Sequence, residues 1–214
     1  ILSGKTRSVT AFTGAFESAK IKPTMDLAPL SLEPPIWFVG AAGAYKSMYD
    51  SAREDNLSKL IRLIKHTADP ETLAKLGELI ADYIFVSTPV LSRADLLVPV
   101  PTNPERWDKR GYEIPSALAR VVSDSCAIPL QDDVVITDAK LPELRNIPKW
   151  FRAKAIEGAY KAEKAQWIRG MSVVIVDDII TTGSTVSEIA QTLLDAGAKE
   201  VAAISLAHTE RTQE

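Results

Sequence analysis

Asp177 and Asp178 close an apolar run, Val173-Val174-Ile175-Val176, and stand just ahead of Thr181, Thr182, Gly183, Ser184 and Thr185. Hydroxyls grouped around one glycine make a cup for an anion. Gly183 lets the backbone turn through conformations closed to other residues, so successive N–H groups can converge on one phosphate while the hydroxyls add further donors. The run that follows, Val186, Ile189, Ala190, Leu193 and Leu194, has a helical period. Its first turn offers unpaired N–H groups and the positive end of the helix dipole to the same anion. No lysine is needed in the cup. Two more carboxylates beside a bound phosphate make sense only if they face hydroxyls or a cation. A sugar diol next to a phosphate satisfies both demands.

The elements that must position these groups follow from the same residues. Consecutive β-branched residues read as a buried strand, here Ser172 to Val176, and the Thr/Gly/Ser turn leads into a helix from Ser184 to about Ala196. In an open α/β sheet ligands bind outside the carboxyl ends of the strands, which is where this order carries both acids. A plainer reading makes Ser184 or Thr182 a helix N-cap and the acids solvated strand-end residues. A cap explains one hydroxyl rather than the whole group. A Walker-type nucleotide site would need a G-x-x-x-x-G-K-[ST] string upstream, and the chain has none.

The string from Val173 to Thr185 resembles the 5-phosphoribosyl-1-pyrophosphate (PRPP) motif of type I phosphoribosyltransferases. The resemblance implies that Asp177 and Asp178 contact the ribose 2- and 3-hydroxyls and that Thr181, Thr182, Gly183, Ser184 and Thr185 wrap the 5-phosphate. A second resemblance, from about Trp37 to the end, is to the ComF-type (GntX) competence proteins. It rests on Leu96-Leu97-Val98-Pro99-Val100-Pro101 with Arg106 and Arg110-Gly111-Tyr112, on Lys140-Leu141-Pro142-Glu143 with Arg152 and Glu157-Gly158-Ala159-Tyr160, and on Tyr45 with the helical run Leu57 to Lys65. Two departures stand out. Tyr112 is followed by Glu113 and Ile114 where that family has an aromatic-Asn-Gln sequence, and Cys126 alone cannot form the family's four-cysteine zinc ribbon. The chain begins at Ile1, so any zinc ribbon is expected in a preceding segment.

The family resemblance implies displacement at the anomeric carbon of PRPP by a nitrogen acceptor, with inversion and release of pyrophosphate. Magnesium (Mg2+) would bridge ribose hydroxyls and pyrophosphate oxygens, held largely through the substrate, with Asp177 the candidate protein ligand. Arg106, Arg110 and Gly111 would take the pyrophosphate, and Lys140, Arg145 and Arg152 would form a mobile basic loop over it. No residue is an obvious general base. The alternative is a non-catalytic member acting in DNA uptake or as a PRPP sensor. Its basic loops would hold single-stranded DNA on Trp107, Trp150 and Phe151. A symmetric homodimer is the default that the relatives suggest.

Composition bounds these readings. At 214 residues, 46% of them apolar, the chain can bury a core without disulfides, and its single cysteine suits a reducing compartment. Cys126 is expected at the end of a packed helix rather than as a nucleophile. A net charge of -3 argues against a general nucleic-acid coat, and no apolar run has the length of a membrane span. A soluble, cytoplasmic protein without membrane partners is expected.

Along the chain, residues 1–35 carry Pro23, Pro29, Pro34 and Pro35 and are expected as a poorly ordered or strapping arm. Residues 36–94 read as an N-terminal helical hood, with an edge strand at Trp37–Ala42 and helices near Gly43–Asp50, Asp55–His66 and Glu71–Phe85. Residues 95–214 read as the phosphoribosyltransferase core. It should hold strands near Leu96–Val100, Asp133–Ile136, Gly158–Tyr160, Ser172–Val176 and Glu200–Ala207, and a helix at Ile114–Cys126. The fold class expected is α/β, a doubly wound, mostly parallel sheet with helices on both faces. Gly197 should close the last helix, His66 and His208 should lie at the surface or a helix end, and Tyr112, Trp107 and Trp150 are candidates for stacking or for packing.

Overall fold

Val173 to Val176 are buried on both sides, the condition of a central strand in a parallel sheet, and the rest of the chain is arranged around them. The computed structural model describes residues 36–45, 56–67, 69–87, 89–102, 112–137, 141–142 and 144–209. In chain order the elements are β1 (Phe38–Tyr45), α1 (Asn56–Thr67), α2 (Pro70–Ser87), β2 (Leu96–Pro99), α3 (Ile114–Cys126), β3 (Val135–Thr137), α4 (Arg152–Ala155), β4 (Tyr160–Ala162), β5 (Ser172–Ile180), α5 (Ser184–Asp195) and β6 (Glu200–Thr209). The main sheet has the order β1-β6-β5-β2 and every pairing in it is parallel.

Strand alternation sorts the core into two layers. Val174, Val176, Ala202 and Ile204 face one way and pack with α1, α2 and α3 through Ile61, Ile64, Ile80 and Leu118. Val173, Ile175, Val201 and Ala203 face the other way, onto Val186, Ile189 and Leu193 of α5. Helices therefore cover both faces, as the doubly wound α/β class requires. Among the described residues no helix is long and apolar enough to cross a membrane.

The crossovers diverge at one place. From β2 the chain runs through α3 to Pro129–Gln131, which bonds the far side of β2: Leu97 N donates to the Pro129 carbonyl at 2.8 Å, and Gln131 N to the Leu97 carbonyl at 3.0 Å. From β5 it runs through α5 to β6 on the opposite side. The strand order thus reverses between β2 and β5, which is where an open α/β sheet forms its ligand crevice. β2 leaves the ladder after Val100 N bonds the Val176 carbonyl at 2.9 Å, with Pro101 next in the chain. Among the described residues β5 continues unpaired on that flank.

Local signals explain the helix ends. Asp69 accepts from the Thr72 hydroxyl at 2.5 Å and from Thr72 N at 2.8 Å, which in that order hold its carboxyl below the usual carboxylate range, and α2 starts with Pro70 in the first turn. At the end of α5, Gly197 takes φ 101° while its N–H donates to Leu194 and that of Ala198 to Leu193. That pair of bonds is a Schellman closure. α2 and α3 approach so closely that a Cβ on Gly77 would lie 2.5 Å from Val121 Cβ.

Several expectations need correction. β5 runs on to Ile180, because Asp177 and Ile179 keep their register with Ser205 and Ala207 of β6. Gly43 to Tyr45 belong to β1, paired with β6, rather than to a helix; residues 46–50 lie outside the described residues, as does the 1–35 arm. β3 and β4 form a separate antiparallel pair against α5, since each buries only one face and cannot serve as a central strand. His208 is buried in β6 opposite Ala44 and Ile180, whereas His66 is exposed in the last turn of α1. Cys126 ends α3 as expected, with burial and then the nearby Asp82 pushing its thiol up to about 12.

Candidate functional site

The acid pair lies where β5 projects past β2, and alternation starts the two side chains toward opposite faces while their carboxyls stay close enough to act on one another. Asp177 shares the Ile175 face. It lines a small cavity with Arg152 and the Thr181–Thr185 loop. Asp178 shares the Val176 face, where Lys65 in the last turn of α1 places its Nζ 2.7 Å from Asp178 Oδ2. The helix end suits that cation, because the dipole presents partial negative charge there.

The phosphate loop has the geometry its residues suggested. Gly183 takes φ 81° and is itself the N-cap of α5, with no side chain capping the helix. The plainer reading of Ser184 or Thr182 as N-cap is therefore not what forms. Thr182 Oγ1 and Ser184 Oγ instead lie 2.9 Å apart, and Thr181, Thr182, Ser184 and Thr185 all line the cavity beside Asp177. Hydroxyls and the first turn of α5 thus converge on one small space.

The backbone binds the carboxylates together. Asp178 N donates to Asp177 Oδ1 and Ile179 N to Asp178 Oδ1, each at 2.8 Å. Burial, then the neighbouring Asp178 charge, pushes the Asp177 carboxyl well above the usual carboxylate range. Burial works on Asp178 in the same direction. The Lys65 charge and hydrogen bonds from Lys65, Asp177 and Ile179 outweigh it and hold Asp178 below that range. One acid therefore favours its proton and the other its charge.

The basic candidates divide. Arg152 is brought to the phosphate loop, its Nε donating to the Ile147 carbonyl at 3.1 Å. Arg145 lies in the 3-10 turn Leu144–Asn146, whose Leu144 also borders the cavity. Arg106, Arg110, Gly111 and Lys140, with Trp107, lie outside the described residues. Tyr112 packs on the core, and its hydroxyl donates to the Ile64 carbonyl, so it serves packing. Trp150 is 83% exposed and meets Phe151 edge-to-face at 5.5 Å, with Lys154 Nζ 6.0 Å from the Phe151 ring.

Lys65 is the site residue that sequence reasoning missed. A signal was present: with Ser58 and Ile61 it shares the stripe of α1 that faces the sheet, and a lysine on such a stripe calls for an acidic partner.

Residues 108–214 match the phosphoribosyl transferase domain family. The chain is 30% identical over 155 residues to the DNA utilization protein YhgH of Escherichia coli K12, covering 72% of this chain and 67% of that protein. It is 29% identical over 118 residues to Competence protein F of Haemophilus influenzae, covering 55% of this chain and 52% of that one. Among solved structures it is similar to the glutamine PRPP amidotransferase of B. subtilis, at 22% identity and a TM-score of 0.42, over 62% of this chain and only 25% of that one. The chain belongs to the phosphoribosyl transferase domain family, in its ComF-like group.

Proposed function

We propose that the chain binds PRPP across the carboxyl end of β5 and transfers its phosphoribosyl group to a nitrogen acceptor. One observation carries the reading: a buried strand carrying an acid pair near its carboxyl end runs into a glycine-turned, hydroxyl-lined helix start at the point where the strand order reverses. The 5-phosphate lies in the Thr181–Thr185 loop, and Asp177 and Asp178 accept from the ribose hydroxyls. The acceptor nitrogen forms its bond to the anomeric carbon as the bond to the pyrophosphate oxygen breaks, and the electron pair leaves with pyrophosphate. Fixed carboxylates beside the oxocarbenium-like carbon stabilise the charge that develops there. Arg106, Arg110 and Gly111 are the proposed pyrophosphate ligands, with Lys140 and Arg145 in the covering loop and Arg152, which lines the cavity of the Thr181–Thr185 loop, turned to the 5-phosphate.

Magnesium fits this donor set. Asp177 and Asp178 supply hard oxygen ligands to a cation that keeps several waters and is held largely by substrate oxygens. When bound, it would neutralise part of the diphosphate charge. The N-terminal helices α1 and α2 are the proposed hood, with the end of α1 reaching the acid pair through Lys65.

Calorimetric titration of PRPP with and without magnesium, beside an adenosine monophosphate control, tests the proposal. Micromolar binding strengthened by magnesium is expected; PRPP binding no better than the control contradicts it. A second reading draws on the names of the relatives, a DNA utilization protein and a competence protein, and on the exposed Trp150–Phe151 pair. It makes the same pocket a PRPP-responsive switch on a protein that stacks single-stranded DNA. Its mark is PRPP binding without turnover, together with oligonucleotide binding that weakens steeply with salt.

A further inference from the structure

We propose that Lys65 is a protein-supplied counter-ion of the PRPP site, neutralising charge on the diphosphate side of the acid pair that magnesium would otherwise have to neutralise alone. The inference rests on the PRPP reading above and deepens it.

Three observations place Lys65 there. Its ammonium is 2.7 Å from Asp178 Oδ2, and its charge also reaches Asp177, which lines the Thr181–Thr185 cavity. It is not sealed in, since the Lys65 side chain keeps 27% exposure and that of Asp178 keeps 18%. The Ile64 carbonyl, one residue before it, accepts the Tyr112 hydroxyl, and Tyr112 directly follows the Arg106–Gly111 segment proposed to hold pyrophosphate. The end of α1 thus touches both the acid pair and the residue that directly follows the proposed pyrophosphate segment. With the 5-phosphate in the Thr181–Thr185 loop, the diphosphate reaches across the acid pair to where Lys65 stands.

Charge gives the arrangement its purpose. PRPP is a polyanion, and two adjacent carboxylates repel it. A cation between acids and diphosphate is required, and an ammonium on a flexible stem can swing from carboxylate to ligand oxygen without leaving the cluster. A merely structural ion pair would serve the fold equally well with the ligand absent. A counter-ion is instead coupled to the metal, because the two neutralise the same charge.

The experiment measures PRPP affinity calorimetrically, at zero and at saturating magnesium, for the wild type, Lys65→Met, Lys65→Gln and Lys65→Arg. Thermal melts are run on all four. The expected result is that Lys65→Met and Lys65→Gln each lose about tenfold in metal-free affinity but less than about threefold with magnesium, while Lys65→Arg stays near wild type in both. An equal loss with and without magnesium in a wild type that does bind PRPP, or a melt collapse that Lys65→Arg fails to rescue, makes Lys65 a structural residue and overturns the inference alone. Absence of PRPP binding by the wild type under both conditions overturns the PRPP reading and the inference with it.

Discussion

Asp177 and Asp178 are the same side chain one residue apart and act on one another, yet their surroundings differ. Asp177 lines the cavity of the phosphate loop and Arg152, and burial followed by the Asp178 charge turns it toward its protonated form, outweighing the weaker pull of Lys65. Asp178 faces the N-terminal helices, where Lys65 holds it ionised against the same burial. The pleat makes this division, since successive residues of a strand point to opposite faces. An acid pair at a strand end is therefore not one site with two equal ligands. It is a hinge line between two half-sites, one contributed by the β5–α5 unit and one by α1 and the chain around Tyr112.

The strongest way to break the comparison is to remove both acids. Asp177→Asn with Asp178→Asn should lower PRPP affinity by about a hundredfold or more, since each charged hydrogen bond contributes about 1.5–3 kcal/mol. Calorimetry reads the loss directly, and retained affinity would defeat the assignment. Gly183→Val should come next. A β-branched residue at φ 81° is strained by about 1–2 kcal/mol and displaces the N–H groups of the loop. An affinity loss of about ten- to a hundredfold is expected, with little dependence on magnesium, because the 5-phosphate side is the side damaged. Arg152→Ala sharpens the same half-site with a smaller effect, about three- to tenfold, and should leave the metal dependence unchanged.

The smallest effect separates the two acids by stability. The raised Asp177 carboxyl contributes stability that is full below its ordinary value of 3.8 and is lost as pH rises through the folded value. Asp178, held low, contributes stability that is present above 3.8 and is lost as pH falls through its folded value. Asp177→Asn keeps an acceptor for Asp178 N while removing the buried charge, so the ligand-free variant should melt a few degrees higher at neutral pH. Asp178→Asn leaves Lys65 without its acid and should melt lower, a loss of about 1 kcal/mol for a partly exposed pair. Melts of both variants from acid to neutral pH check the opposite signs.

Much of this was legible along the chain because it is local. The β5–loop–α5 unit is written in one continuous string, α3 spans Ile114–Cys126 as its apolar period indicates, and Gly197 marks the end of α5. What escaped depends on residues far apart in sequence. β3 and β4 look like core strands until their pairing with each other is seen. His208 reads as a surface or helix-end residue until β1 covers one edge of β6. The extension of β5 through the acids comes from the β6 ladder, not from its own β-branched run. Lys65 meets Asp178 only because α1 packs across the sheet. The phosphate half-site could be read from a string, while the opposite half-site had to be assembled.

The most direct test of this division is a crystal structure of the chain with PRPP and magnesium. The account predicts the 5-phosphate against Thr181–Thr185 at the start of α5, the ribose hydroxyls on Asp177 and Asp178, and the diphosphate on the Lys65 and Tyr112 side of β5. A 5-phosphate bound away from that loop, or a diphosphate lying on the Arg152 side with Lys65 still closed on Asp178, would contradict it.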